Sequence, residues 1–140
     1  MTANQTTFID DLHTWLNIPY SDGPQSKAGF NCWGLMRACL MAVGMNDVQG
    51  MAVDFKNSAH VQAQANQQLA KGVWLKLDTP EPFCVVQMSH ATIAHHVGVW
   101  LPVNNGMILH TTLGTGSILQ KRHLVNQLGF HITGYYRFIG

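Results

Sequence analysis

The sequence predicts an α+β fold, with N-terminal helices packed on one side of a roughly five- to six-stranded antiparallel sheet. Three observations predict it. Apolar residues recur with helical spacing in the first half of the chain, and from Val73 they alternate as in strands. The helical segments all precede the strands, an order that belongs to α+β architectures. No internal repeat, low-complexity tract or interdomain linker interrupts the 140 residues, so residues 1–140 read as one domain.

The elements follow in order. Thr6 or Thr7 caps a first helix whose face carries Phe8, Ile9, Leu12, Trp15 and Leu16, with Asp10 and Asp11 in its first turn. Asn17 and Pro19 end it. Pro19 to Gly29 is rich in Pro, Gly, Ser and Asp and reads as a loop. Asn31 then caps a helix with Cys32, Leu35, Met36, Cys39, Leu40 and Val43 on one stripe, stopped by Gly44. Residues 45–57 show no clear period. Asn57 or Ser58 caps a Gln- and Ala-rich third helix, Ala59 to Lys71, ended by Gly72 and able to serve as a docking face.

Strands are expected at Val73–Leu77, Phe83–Met88, His95–Leu101, Met107–Thr111, Gly116–Gln120 and Phe130–Ile139. Pro102 to Gly106, with Asn104-Asn105-Gly106, makes a hairpin between the third and fourth. A short helix fits at Arg122 to Leu128.

Composition excludes several functions. The net charge of +1 gives no reason to expect binding to nucleic acid or a membrane surface. Every carboxylate lies at or before Glu81, while the remainder holds Lys121, Arg122, Arg137 and six of the eight His. Such a half suits an acidic substrate, or simply a buried sheet. Three cysteines without CxxC spacing are neither a disulfide framework nor a zinc finger. The N-terminus has no secretory pattern, and no apolar run approaches the ~20 residues that span a bilayer. Synthesis in the cytoplasm without a signal peptide is expected.

The chemistry centres on Cys32. At a helix start it faces unpaired N–H groups and the positive end of the dipole, which favours the nucleophilic thiolate and predicts a lowered pKa. Cys39 is an ordinary core thiol. A cysteine nucleophile needs a base, and His95 or His96 on one strand and His110 on the next are candidates. The two strands are hairpin neighbours, so a His on each can share a face. Alternation alone leaves His95 and His96 open, since they point to opposite faces. With no carboxylate in this half to complete a Cys–His–Asp triad, the orienting group must be neutral, and His110 fits. Cys32, His90, His95, His96 and His110 include zinc-ligating types, but no HxxxH or HExxH motif is present. No metal or cofactor is expected.

These residues resemble the NlpC/P60 family, the papain-like cell-wall peptidases of bacteria and phages. The likeness rests on Ile18-Pro19-Tyr20 with Gly23, on Asn31-Cys32-Trp33-Gly34-Leu35, on His96-Val97-Gly98-Val99 and on Ile108-Leu109-His110, in that order, from about residue 10 to the C-terminus. The resemblance implies Cys32 as nucleophile, His96 rather than His95 as base, and His110 as orienting residue. It implies Tyr20 and the Cys32 N–H as oxyanion donors. The implied reaction is hydrolysis of an amide in peptidoglycan stem peptides, between D-glutamate and the diamino acid. Asn31 stands where the family usually has Asp, Trp33 where it has a small residue, and Pro82-Phe83-Cys84 where it has Gly-Asp. The ending Ile132-Thr133-Gly134-Tyr135-Tyr136-Arg137 resembles members associated with phage or prophage tails. The implied settings are a virion tail or the cell wall and periplasm, with a tail component, or an immunity or adaptor protein, as partner. A secreted antibacterial amidase and an inactive structural protein of the same fold are the alternatives.

Overall fold

Asn31 is where the local chemistry of the fold is plainest. Its side-chain oxygen accepts the Gly34 N–H at 2.8 Å, and the helix it opens, α2, runs Cys32–Ala42 to the left-handed Gly44. The computed structural model describes residues 1–50, 63–64, 67–68, 70–90 and 93–140. Most of the third helix expected over Ala59–Lys71 lies outside them.

The first helix starts earlier than its apolar pattern implies. α1 spans Ala3–Asp10 and is opened by Thr2 through a capping box with Gln5. The Thr2 hydroxyl accepts the Gln5 N–H at 3.1 Å, and the Gln5 side chain accepts the Thr2 N–H at 3.3 Å. Satisfying two free donors at once outweighs the single cap available at Thr6 or Thr7. Asp10 and Asp11 therefore lie at its C-terminal end, and Leu12–Trp15 continue as a 3-10 turn.

Among the described residues, six strands form one antiparallel sheet: β1 Trp74–Leu77, β2 Val85–His90, β3 Ile93–Leu101, β4 Met107–Thr112, β5 Gly116–Lys121 and β6 His131–Phe138. Their order is β1-β6-β2-β3-β4-β5. Only β2 to β5 form a meander, because β6 returns to pair with both β1 and β2. Asn104, Asn105 and Gly106 all adopt positive φ in the β3–β4 turn, which Asn and Gly tolerate best.

Register divides the core in two. Val85, Val99 and Leu109 stand in line across β2, β3 and β4 and pack with the buried α2 stripe. Val86, Met88 and Ile108 occupy the other face, under Val125 and Phe130. Val125 belongs to a second 3-10 helix, Arg122–Leu128, which ends at the left-handed Gly129. The sheet is therefore covered on both sides, by α2 on one and by this short helix with Phe130 on the other. Each fully buried side chain of this kind contributes about 1.5–3 kcal/mol. The α2–sheet contact thus holds the start of α2 against β3.

Candidate active site

The loop before α2 is tied down at both ends. Ser117 on β5 accepts the Ile18 N–H at 2.8 Å and donates to the Trp15 carbonyl at 2.7 Å. Gly116 has a φ of +75°, and a side chain there would strike the Ile18 carbonyl. At the other end, Gln25 holds the loop to the helix start. Its amide donates to the carbonyls of Ser21 and Gly23 at 2.9 and 2.7 Å. Its oxygen accepts the Asn31 N–H at 2.7 Å. Gly34 is the close neighbour that makes room, since a Cβ there would overlap the Gln25 carboxamide.

Cys32 is buried at the first position of α2. The backbone N–H groups of Val97, Trp33 and Cys32 itself point at its sulfur and pull its pKa down. Burial acts more strongly and pushes the thiol up to about 11. The lowered pKa expected from the helix start is therefore reversed. A helix dipole is worth about 0.3–1 kcal/mol, under one pKa unit, whereas desolvation moves buried groups by up to several units. The resting group is a neutral thiol that needs a base. Burial likewise raises Cys39, and raises Cys84 to about 11.

The Val97 N–H at the sulfur sets Cys32 beside the peptide that links His96 to Val97. From His96 a polar chain crosses three strands. His96 Nε2 is 2.9 Å from His110 Nδ1, and His110 Nε2 is 2.8 Å from Gln120 Oε1. His96 and His110 are not directly opposite. Gly98 stands across from His110, and a Cβ on it would lie 3.1 Å from the His110 Cβ. His96 is two residues along on the same face, so the rings meet diagonally through the space the glycine leaves open. Phe130 closes the assembly, stacked on the His96 ring at 4.2 Å and edge-on to His110 at 5.8 Å. Both histidines are buried, and burial lowers the His110 pKa despite its bond to Gln120. The side chain of His95 lies outside the described residues.

Tyr20 is half-buried, within electrostatic reach of Cys32 and Asp22. The hydroxyl donates to Asp22 Oδ1 at 2.9 Å. Burial first, then Asp22, raises its pKa. Asp22 also raises the Cys32 pKa through its charge, so an acidic group stands near the thiol despite the Asn at position 31.

The structure thus sets Tyr20 within electrostatic reach of Cys32 at the start of α2, brings the Cys32 sulfur to the Val97 N–H, and joins His96 to His110 across β3 and β4. The sequence reading missed Gln25, Asp22, Gln120 and Phe130. Gln120 closes an expected strand, but nothing local distinguishes an amide bonded to a buried histidine from a surface one. Among the described residues, no three His, Cys, Asp or Glu side chains converge as a metal site. No helix among them is long and apolar enough to cross a membrane.

No protein-family model matches the sequence, and no curated protein matches it. Solved structures do match in three dimensions. The NlpC/p60 domain of the peptidoglycan hydrolase SagA superposes with a TM-score of 0.63 at 14% identity, over 97% of this chain and 100% of that one. The fold is that of an NlpC/P60 domain. An NlpC/P60 family protein from Bacillus cereus ATCC 10987 gives 0.61 at 14% identity, over 97% of this chain and 40% of its own. A lipoprotein-like NLP/P60 family protein from Staphylococcus aureus subsp. aureus Mu50 gives 0.55 at 16%, over 100% of this chain and 43% of its own. The chain therefore spans less than half the length of the last two.

Two departures from the NlpC/P60 sequence pattern have structural roles. Trp33 is buried and donates its indole N–H to the Gln49 carbonyl at 2.8 Å, with Trp74 edge-on at 6.2 Å. Phe83 occupies a left-handed turn at φ 63° and packs edge-on against Phe8 at 5.4 Å.

Proposed function

We propose that this chain is a cysteine peptidase that hydrolyses an amide bond in peptidoglycan stem peptides, the bond between D-glutamate and the diamino acid. The observation that carries the reading is the buried chain His96–His110–Gln120 beside a cysteine at a helix start, on a fold shared with a peptidoglycan hydrolase. In the mechanism, His96 takes the thiol proton and the Cys32 sulfur attacks the amide carbonyl. The Cys32 N–H holds the oxyanion, joined by Tyr20 once substrate draws its hydroxyl from Asp22. The C–N bond breaks, and His96 returns its proton to the leaving amine. Water, deprotonated by His96, then cleaves the thioester and regenerates the thiol. Lys121 and Arg122 fit a substrate rich in carboxylates, whereas Arg137 is already paired with Glu81. The ending Ile132–Arg137 supports a phage or prophage tail as the setting.

The test uses purified protein on murein sacculi, with newly released amines counted. Wild type and Cys39→Ala are expected to release them, and Cys32→Ala and His96→Ala are not. Cleavage by Cys32→Ala at the wild-type rate sinks the proposal.

A further inference from the structure

Gln120 sits on β5 directly across from Ile108, two residues from the position opposite His110. Its carboxamide oxygen meets His110 Nε2 at 2.8 Å. A carbonyl oxygen has no proton, so the ring must donate. A neutral imidazole carries one N–H, so His110 Nδ1 is then an acceptor. The nitrogen it faces at 2.9 Å is His96 Nε2, which must donate in turn. In that tautomer the remaining His96 nitrogen, Nδ1, carries no proton and is an acceptor. With the amide reversed the outcome inverts: its NH2 donates to His110 Nε2, His110 Nδ1–H donates to His96 Nε2, and His96 Nδ1 carries the proton. That ring cannot accept a proton from a thiol. No Asp or Glu follows Glu81, so no carboxylate from the sheet can take over this duty.

We propose that Gln120 is a positioning residue which, by accepting the His110 Nε2 proton, fixes the tautomers of both histidines and leaves His96 Nδ1 as the base for Cys32. The proposal rests on the hydrolase reading for its consequence in catalysis, but its tautomers can be measured without any turnover. Burial of His110, which keeps its ring uncharged, agrees with it.

The experiment is a long-range proton–nitrogen correlation on protein labelled with nitrogen-15 histidine, at neutral pH. It is paired with kcat and KM on a soluble stem peptide. Wild type is expected to show both His96 and His110 protonated at Nε2. Gln120→Met keeps the volume but not the acceptor. It is expected to give His110 a population protonated at Nδ1 and to lower kcat roughly tenfold to hundredfold, with KM little changed. Gln120→Glu retains an acceptor and is expected to restore the wild-type tautomers and most of kcat. A wild-type His110 protonated at Nδ1 overturns the proposal, as does a Gln120→Met protein with unchanged tautomers. Wild-type tautomers as expected, with no cleavage of any stem peptide, support the tautomer assignment and instead refute the hydrolase reading.

Discussion

Gly98→Ala is the sharpest perturbation of the site that replaces none of its candidate side chains. A methyl there would lie 2.7 Å from Ile108 Cγ2, 3.0 Å from the Leu109 carbonyl and 3.1 Å from the His110 Cβ. Carbon atoms pack at about 3.5–4.0 Å, so the first contact is short by roughly 0.8 Å or more. Ile108 is fully buried, and β4 is clamped between β3 and β5. Relief therefore comes by moving β4 away from β3. A shift of that size takes His110 Nδ1 from 2.9 Å beyond hydrogen-bond range of His96 Nε2. Overpacking costs about 1–3 kcal/mol, a lowering of Tm by roughly 3–12 °C for a chain of this length. Stability of about 5–15 kcal/mol leaves the variant folded. Misplacement by about 1 Å at a catalytic group costs on the order of a hundredfold in rate. The assay pairs a thermal melt with amine release from sacculi. A Gly98→Ala protein that melts within a degree of wild type and cleaves at the same rate would refute the reasoning, because the two rings would then not depend on the glycine gap.

Two further outcomes follow from buried groups. Phe83→Gly removes a left-handed strain of about 1–2 kcal/mol but also packing worth about 3–5 kcal/mol, so it is expected to destabilise by roughly 1–4 kcal/mol in urea unfolding; equal or greater stability would show that strain dominates. Burial holds the His110 pKa below its ordinary 6.5, so below that pH the unfolded chain binds the extra proton and stability falls as pH drops, by up to about 1.4 kcal/mol per unit until the folded pKa is reached. Urea midpoints measured from neutral to mildly acidic pH check it: His110→Asn is expected to flatten this part of the slope, and identical slopes in the two proteins would contradict it.

Legibility in the sequence followed the range of the forces involved. The α2 stripe, its Asn31 cap and the Asn-Asn-Gly hairpin were readable because each is decided within a few residues. The insertion of β6 between β1 and β2 was not, since alternation reports which face a residue takes and never which strand lies beside it. The Thr2–Gln5 capping box was readable in principle but was overshadowed by the apolar pattern further on. At the site, ordered motifs named Tyr20, Cys32, His96 and His110; the structure joins His96 to His110 and sets Cys32 against the Val97 N–H. Gln25 and Gln120 escaped because an amide acquires its meaning from what the fold places against it. The Cys32 pKa was misjudged for the same reason: the dipole is local and visible in sequence, whereas burial is global and larger.

A relay without a carboxylate has an energetic consequence of its own. In the proposed mechanism the positive charge on His96 exists only between thiol deprotonation and amine departure. A buried carboxylate would stabilise that charge, but while the ring is neutral it would be an uncompensated ion, at a cost of several kcal/mol. The chain through His110 and Gln120 carries no such burden, because it contains no carboxylate and its members are hydrogen-bonded to one another. Phe130 supplies part of what is missing. Its ring lies nearly parallel to His96, 19° off at 4.2 Å, so an imidazolium formed there would face the negative side of a π system. Such a contact is worth about 2 kcal/mol when desolvated, and far less to a neutral ring. Stabilisation of this kind appears with the charge and disappears with it, which is the condition for lowering a barrier rather than the ground state. The apolar lid over the histidines is thus part of the electrostatics of the site, and the absence of acidic residues after Glu81 is compatible with the chemistry proposed.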